Sequence, residues 1–458
     1  MQPLIDSDIL LYEIGFSSQQ VEDGKIVPAS WDFAEELLTK RINLICEEVG
    51  ATEPPLLFLT NTPRINKLLN KDRKREEKPI VAYKDNFRNE VAKEKEYKAG
   101  RKPDKPFHFY NLLSHILATY ETRIHEGGLE ADDYLCIEQI NNAKKYGVKV
   151  KFHAGHFLLD YEDWLKYKDA TFIKDDKGYV ISDTGKGPTR KVWALHRDIM
   201  GNPEGLVVDH INGDTLDNRK YNLRICTTKE NVRNSASRVG TSEYKGVSWD
   251  KERDKWVAAI KVDRVGNFLG RFDSELEAAA AYDKAAKQYY GEFARLNLEA
   301  PYKKPYKETV ICSRDKDVRQ CPFWHYSWEV GAQASIGPIW VEPIGYLTNV
   351  NEGKVDANGK KKPLKIFGVG HKFFYYQLLT GDGVDNIGGI KGKGPAFAYN
   401  LLKDATTERE CYELVAEVYV KTHGDLWKVK IKEQADLLHM VRELNEDGSS
   451  KLWMPPKM

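Results

Sequence analysis

Short apolar runs that end in acidic residues lie near both ends of this chain. Residues 4–13 begin with Leu4 and Ile5 and continue into Asp6, Ser7 and Asp8, and residues 309–313 run towards Asp315 and Asp317. A further apolar run covers 55–60, and residues 31–49 have the apolar spacing of an amphipathic helix. Continuous apolar runs are typical of buried parallel strands, and α/β folds bind ligands beyond the carboxyl ends of such strands. The pattern therefore predicts an α/β fold with a parallel sheet and acids at one edge, although Asp6 or Asp8 as a helix N-cap explains that stretch equally well.

The middle of the chain follows other patterns. A short aromatic helix is predicted over 160–169, and the apolar run 206–208 leads into Asp209, His210 and a turn at Gly213. Within 243–298, three segments alternate apolar and polar residues with period two and precede an alanine-rich helix over 275–290. We expect an interrupted fold, with domains at 1–140, 141–238, 239–300 and 301–458.

Composition adds modest constraints. A chain of 458 residues is too long to fold around one hydrophobic core. It has 70 Lys and Arg against 69 Asp and Glu, but residues 141–300 hold 28 basic against 24 acidic residues. This excess suits a DNA-binding insert, and ordinary surface variation is the alternative. Six scattered cysteines, no secretion signal and no apolar window of membrane-spanning length indicate a cytoplasmic protein, which we expect to be a monomer without membrane contact.

The most concentrated acidic stretch is 129–133, where Glu130, Asp132 and Asp133 open an apolar run. Carboxylates this close either repel each other and raise their pKa values or share a hard divalent cation. Upstream, residues 67–105 are rich in Lys and Arg with aromatic residues between them, including Lys98 and Arg101. Such a region suits a phosphate backbone with stacked bases, and a solvated helix face is the alternative.

These motifs resemble the 5′-nuclease (flap endonuclease) superfamily, in particular the 5′→3′ exonucleases of short-tailed phages. The resemblance covers about 1–140 and 303–458 and includes the glycine-rich run 381–395. It implies two Mg²⁺ ions, with Mn²⁺ as an alternative, held by eight acids: Asp6, Glu130, Asp132, Asp133, Asp315, Asp317, Asp382 and Asp385. It also implies that Lys98 and Arg101 neutralise the scissile phosphate. The family's helix–three-turn–helix would bind duplex DNA with contacts from Gly389, Gly392 and Gly394, often through a bound K⁺ ion.

One position departs from the family. Many members have an Asp at the end of the second strand, where this chain has Thr60 and Asn61. That ligand is absent, supplied by Asp85, or not needed.

The insert has its own chemical motif. Asp209 and His210 enter a glycine turn, and Asn222 and Asn231 follow at the spacing of a ββα hairpin around one cation. These residues resemble HNH homing endonucleases of the subtype whose final His is Asn. The resemblance implies His210 as general base, Asp209 and Asn231 as ligands of one Mg²⁺, and Asn222 orienting His210. We expect the nearby Arg219 and Arg224 to contact phosphates, and the alternative for an isolated Asp-His pair is an Asx-type hydrogen bond.

Residues 243–298 resemble the ethylene-response-factor (APETALA-type) DNA-binding domain of plants. That family reads the major groove with a three-stranded sheet. The implied contacts opposite the helix are Lys245, Trp249, Lys261 and Arg271. Ser248 stands where the plant domains tend to have Arg, so the base preference does not carry over.

The sequence thus predicts a metal-dependent DNA nuclease. We expect 5′→3′ exonuclease action at duplex 5′ ends or flaps, with an inserted HNH endonuclease that nicks a preferred duplex site. No His-Asn followed by Cys, Ser or Thr closes the insert, so we expect it to stay in the protein and to project away from the acid cluster. The alternatives are an HNH homing endonuclease in an inactive host and a non-catalytic DNA-binding protein.

Overall fold

Two compact units make up the chain in a computed structural model that describes residues 1–93, 97–98, 104–184, 191–236, 240–356 and 358–456. The host unit consists of residues 1–142 and 307–458, and the insert unit of residues 143–306.

The strands and helices are numbered along the whole chain. The strands are β1 Gln2–Asp6, β2 Gln19–Glu22, β3 Lys25–Pro28, β4 Leu56–Leu59, β5 Thr122–Ile124, β6 Val148–Phe152, β7 Gly155–Leu159, β8 Ile173–Lys174, β9 Val180–Thr184, β10 Lys191–Ala194, β11 Val207–His210, β12 Leu223–Cys226, β13 Val247–Asp250, β14 Lys255–Val262, β15 Val265–Phe272, β16 Thr309–Cys312, β17 Phe323–Ser327, β18 Ile336–Val341, β19 Tyr346–Asn349, β20 Ile366–Val369, β21 Gly381–Asp382 and β22 Ile387–Gly388. The helices are α1 Ser7–Ser17, α2 Trp31–Glu48, α3 Pro63–Arg75, α4 Phe87–Val91, α5 Phe109–Thr119, α6 Ala131–Tyr146, α7 Tyr161–Tyr167, α8 Leu195–Ile199, α9 Thr228–Asn234, α10 Glu275–Tyr290, α11 Gly370–Thr380, α12 Pro395–Leu402, α13 Glu408–His423 and α14 Trp427–Leu438.

The host unit is built on a sheet with strand order β18-β17-β16-β1-β4-β5. β1 pairs in parallel with both β16 and β4, and only the edge strand β18 is antiparallel to its neighbour. Leu4, Ile5, Leu57 and Val310 are fully buried because helices cover the sheet. The predicted mixed α/β architecture with a parallel sheet is confirmed. Since adjacent parallel strands end at the same edge, the residues after β1, β4 and β16 lie together.

The predicted strand near the start of residues 4–13 is present as β1 but ends at Asp6. The run Ile9-Leu10-Leu11 belongs to α1 and not to a strand, because Asp6 ends β1 and caps the helix by accepting a hydrogen bond from the Ile9 N–H at 3.5 Å. The N-cap explanation therefore holds for Asp6 alongside any ligand role. The amphipathic helix predicted over 31–49 is α2.

The second half of the host unit is helical. α11, α13 and α14 enclose a core that includes Phe374, Leu378, Val415 and Ala435. Between α11 and α12, the chain forms the short β21–β22 hairpin and the glycine-rich segment. This arrangement places Asp382 and Asp385 just after α11, where both side chains are buried.

The insert unit contains two small folds. The antiparallel β11–β12 hairpin and α9 form a ββα arrangement, and β13, β14 and β15 form an antiparallel sheet on which α10 packs. Arg219 holds the ends of this unit together and was wrongly expected to contact phosphate. Its guanidinium is buried, pairs with Asp217, and donates hydrogen bonds to the carbonyl oxygens of Tyr146 at 2.8 Å and Lys304 at 2.9 Å.

Among the helices within the described residues, we find none that combines the length and the apolar character needed to cross a bilayer.

Candidate metal centres and nucleic-acid interface

Acidic residues from distant parts of the chain form two groups in the host unit. Carboxylate oxygens of Glu130, Asp132 and Asp133, at the start of α6, lie within 4.8 Å of one another. A second such group consists of Asp317, Asp382 and Asp385. Six of the eight predicted ligands thus form two clusters whose oxygen donors suit hard divalent cations.

Tyr97 and Lys98 connect the two groups. The Tyr97 hydroxyl lies 3.2 Å from a Glu130 oxygen and 3.4 Å from an Asp385 oxygen. The Lys98 ammonium group donates a hydrogen bond to Glu130 at 2.5 Å. The two acid groups are therefore neighbours, with a cation between them. The other expected cation, Arg101, lies outside the described residues.

Asp6 and Asp315 extend the first group towards the sheet. Burial and the neighbouring Asp8 raise the pKa of Asp6 to about 7, while the Ser313 hydroxyl donates to Asp6 at 2.8 Å. Burial also raises the pKa of Asp132 well above its usual value, with further contributions from Glu130, Asp133 and Asp315. The acids repel one another, and a bound divalent cation would relieve this repulsion.

The second group has the same character. Burial and then Asp315 raise the pKa of Asp317 to about 8, and the Gln377 amide donates to Asp317 at 2.7 Å. The Lys316 ammonium group pairs with Asp382 and compensates part of the negative charge. All eight predicted acids are thus linked by direct contacts or mutual repulsion.

Asp133 differs from the other seven acids. It is fully buried, and Arg88 donates to its two oxygens at 2.5 and 2.9 Å. The Val441 N–H donates to it as well, at 2.8 Å. Since both oxygens already accept hydrogen bonds, the geometry favours an anchor for Arg88 over the predicted ligand role.

Asp8 is a site residue that the predicted ligand set omitted. Its oxygens accept hydrogen bonds from the Thr60 N–H at 3.1 and 3.3 Å, and burial raises its pKa, with a contribution from Glu130. Asp85 is exposed and accepts a hydrogen bond from the adjacent Asn86 N–H. Asp8, and not Asp85, is therefore the acid beside the end of β4. The Asp-x-Asp spacing after β1 was the available signal.

The three glycines expected to approach phosphate have different environments. A Cβ atom on Gly389 would lie 2.3 Å from the Thr380 carbonyl carbon, so close packing explains this glycine. Gly392 has a φ of +76°, and both Gly392 and Gly394 face open space. Gly389 is therefore explained by packing and not by the expected DNA contact. For Gly392 and Gly394, contact with DNA stays a prediction.

In the insert unit, His210 lies at the end of β11 with its imidazole buried. Its Nε2 atom is 3.3 Å from the Asn218 side-chain oxygen, and its ring centre is 5.1 Å from that of His196 and 5.7 Å from that of Tyr179. Burial lowers the pKa of His210, and burial together with His210 lowers the pKa of His196 to about 4. A neutral imidazole is the form that accepts a proton.

Asn222 acts on the loop and not on the imidazole. Its side-chain oxygen accepts a hydrogen bond from the Asn212 N–H at 2.8 Å, and its amide donates to the Asp217 carbonyl at 2.8 Å. Asn222 thus fixes the loop that follows His210. The predicted contact to the His210 ring comes instead from Asn218.

Two side chains donate hydrogen bonds to the carboxylate of Asp209. Arg224 donates to one oxygen of Asp209 from Nε at 2.9 Å and from Nη2 at 2.7 Å. The Asn234 amide lies 3.1 and 3.0 Å from the two oxygens. Arg224, expected at phosphate, is thus paired with the predicted metal ligand. Asn231 lies one turn before Asn234 on α9, so sequence spacing alone did not reveal Asn234.

The four residues predicted to contact DNA from the three-stranded sheet do not all lie on its exposed face. Lys261 and Arg271 are exposed on the face opposite α10, as expected. Trp249 was placed wrongly, since strand alternation puts it on the face of the buried Val247. Lys245 was also placed wrongly, because its ammonium group donates to carbonyl oxygens at the end of α9. Burial lowers the pKa of Lys245 to about 8.

Comparison with known proteins identifies part of the insert. A family model described as HNH endonuclease matches residues 190–233. The chain is 36% identical over 114 residues to Protein 3.8 of Escherichia phage T7, covering 24% of this chain and 91% of the phage protein. It is 32% identical over 127 residues to the Uncharacterized HNH endonuclease L560 of Acanthamoeba polyphaga mimivirus, covering 26% of this chain and 63% of that protein.

A plant protein matches a shorter stretch. The Dehydration-responsive element-binding protein 2C of Arabidopsis thaliana is 49% identical over 61 residues, which is 13% of this chain and 18% of the plant protein. This chain therefore spans most of the phage protein, but less than two thirds of the mimivirus protein and under a fifth of the plant protein. No solved structure matches the chain.

Proposed function

The chain belongs to the HNH endonuclease family through residues 190–233, and we propose that it is a DNA nuclease with two separate catalytic centres. The insert unit nicks duplex DNA at a preferred site, and the host unit removes nucleotides from 5′ ends or flaps as a 5′→3′ exonuclease. The observation that supports the second centre is the meeting of acids from 1–142 and 307–458 around Tyr97 and Lys98.

The acid groups of the host unit fit divalent metals. Their buried carboxylates repel one another, and a bound divalent cation would relieve this repulsion. Their oxygens are of the kind that Mg²⁺ and Mn²⁺ bind. Asp6, Glu130, Asp132 and Asp315 would hold one ion, and Asp317, Asp382 and Asp385 the other. When bound, such ions polarise a phosphodiester and favour hydroxide formation at neutral pH.

The side chains around these acids have roles of their own. Lys98, next to Glu130, would offset negative charge on the scissile phosphate, together with Arg101. Gly392 and Gly394 leave room for the DNA backbone to approach the main chain. K⁺ binding in the helix–three-turn–helix stays a prediction.

In the insert unit, we assign proton abstraction from water to His210. Its buried, neutral imidazole is oriented by Asn218 and lies beside Asp209. HNH nucleases use divalent metal ions, and Asp209 with Asn231 or Asn234 supplies the oxygen ligands for one. Lys261 and Arg271 are the exposed cations that would contact DNA on the sheet.

Two substrates distinguish the proposal from its alternatives. The test uses supercoiled plasmid for nicking and 5′-labelled linear duplex for exonuclease action, with Mg²⁺ or Mn²⁺. Asp132→Ala should abolish 5′→3′ degradation and keep nicking, and His210→Ala should do the reverse. An inactive host would give nicking without degradation in the wild type. A DNA-binding protein would give neither.

A further inference from the structure

We propose that the three-stranded domain, residues 241–299, is held rigidly on the ββα domain, residues 207–234, so that the nick falls at a fixed distance from the sequence bound by the sheet. This inference rests on the proposed nicking function of the insert unit. It makes Lys245 and Arg295 positioning residues that determine where DNA is cut.

The first connection joins the three-stranded domain to the end of α9. The Lys245 ammonium group donates to the carbonyl oxygens of Arg233 at 2.6 Å and Ser235 at 2.7 Å. A cation at this position satisfies carbonyls that a helix end leaves unpaired. Lys245 is itself fixed, since its N–H donates to Asn297 at 2.8 Å and Asn297 in turn donates to Asp283 of α10 at 2.8 Å.

The second connection reaches the catalytic hairpin. Arg224 of β12 donates from Nη1 to the Glu292 carbonyl at 2.6 Å, and its guanidinium carbon lies 4.1 Å from the centre of the Phe293 ring. Its remaining nitrogens bind Asp209. One side chain thus contacts both the predicted metal ligand and the segment that follows α10.

Two more connections lie on other sides of the same interface. Arg295 donates to the Asn212 carbonyl at 3.0 Å, in the loop after His210. Arg233 of α9 lies with its guanidinium carbon 5.1 Å from the centre of the Tyr290 ring and pairs with Asp263 in the β14–β15 turn.

These connections are distributed around the interface, which restricts rotation as well as separation. They touch the last turn of α9, the hairpin and the loop after His210. Residues 235–240 join the two domains along the chain. A flexible tether of that length would have a reach of about 13 Å, or about four base pairs at 3.4 Å each. The connections therefore predict a narrower choice of nick position than the tether alone allows.

The test maps nick positions on a pool of random-sequence linear duplexes with Mg²⁺. Sequencing the nicked strands gives the preferred motif and its distance from the nick together. The wild type should show one dominant distance. The double variant Lys245→Met, Arg295→Met should recover the same motif with nicks spread over about four base pairs, since both substitutions leave Asp209, His210 and the exposed sheet face unchanged.

Two further proteins control this experiment. Lys287→Met removes an exposed cation of α10 that pairs with Glu299 inside the three-stranded domain, and it should leave the distance unchanged. A four-residue Gly-Ser insertion after Gly240 lengthens the tether but keeps the connections, so it should leave the distance unchanged in the wild type and widen the spread further in the double variant. Melting temperatures establish that each variant is folded.

Three results would overturn the inference: scattered nicks around a clear motif in the wild type, an unchanged single distance in the folded double variant, or a distance that moves with the insertion alone. Absence of nicking by the wild type would instead overturn the proposed endonuclease function, and this inference with it.

Discussion

At the scale of single residues, adjacent carboxylates have opposite environments. Asp132 is surrounded by like charge from Glu130 and Asp315, whereas Asp133 is paired with Arg88 and receives a main-chain N–H. The sequence gives both residues the same chemistry and the same acidic neighbours. Only the packing of Arg88 beneath α6 separates them, and this packing depends on contacts with residues more than 300 positions away.

We expect the two asparagine variants to change stability in opposite directions. Asp133→Asn leaves the Arg88 charge buried without its partner, which costs about 3–5 kcal/mol for such pairs. Asp132→Asn removes a repelled charge and should raise the melting temperature of the metal-free protein. Thermal unfolding in EDTA measures both. A lower melting temperature for Asp132→Asn would contradict the repulsion argument.

His210, the proposed general base of the insert, can be tested by substitution. His210→Ala should lower the rate of plasmid nicking by about 10²- to 10⁴-fold, the usual contribution of a general base. His156→Ala is the matched control, because His156 is exposed on β7 of the same unit. Equal loss in both variants would count against a catalytic role for His210.

Sequence spacing identified Asp209 and His210, but it did not distinguish asparagines three or four positions apart. Asn218 contacts the His210 ring where Asn222 was expected, and Asn234 contacts Asp209 where Asn231 was expected. Asn231 and Asn234 lie about one turn apart on α9 and share a face, so both satisfy the same pattern. The loop conformation decides between Asn218 and Asn222, and a single sequence does not specify it.

At the scale of secondary-structure elements, period-two alternation was sufficient to predict β13, β14 and β15 but not every outward-facing side chain. Lys261 and Arg271 follow the alternation and are exposed. Trp249 shares the parity of the buried Val247 and so belongs to the helix-facing side. Lys245 precedes β13, so the alternation of strand residues does not predict where its side chain lies. The nearby end of α9 determines its position.

The two faces of this sheet should therefore respond differently to substitution. Lys261→Ala or Arg271→Ala should weaken DNA binding and reduce the slope of log affinity against log salt by about 1 for each phosphate contact. Trp249→Ala should lower the melting temperature and keep that slope, because its indole packs 5.0 Å from Trp256.

Binding titrations at several salt concentrations measure this difference, and Lys287→Ala on α10 serves as the control. A slope reduced by Trp249→Ala but not by either cation variant would mean that the opposite face binds DNA.

At the scale of the whole molecule, each unit keeps the ends of its own chain together. In the host unit, the Asn142 amide donates to the Lys307 carbonyl at 2.8 Å. In the insert unit, Arg219 bonds to the carbonyl oxygens of Tyr146 and Lys304. The change of pattern near 141 and 301 predicted an interruption, but Arg219 was interpreted as a phosphate contact. A buried arginine that joins two chain ends has no signature in local sequence.

The adjacent ends lead to a prediction for the host unit alone. A chain that lacks residues 143–306, with Asn142 joined to Lys307 through three glycines or serines, should fold and retain 5′→3′ degradation. A short link spans two positions that already share a hydrogen bond, and a short loop has a lower entropic cost of closure than a long one. All acids of both groups remain in this chain, whereas His210 and the nicking of supercoiled plasmid are lost.

The same deletion with Asp132→Ala is the matched control and should be folded but inactive on 5′-labelled duplex. A deletion protein that melts cooperatively but does not degrade the duplex would mean that the host centre needs the insert unit for activity. Degradation retained in the Asp132→Ala deletion would remove the acid groups as the catalytic centre. Because the two proposed activities would use acids and a histidine on separate units, loss of nicking should not change the rate of degradation from a 5′ end.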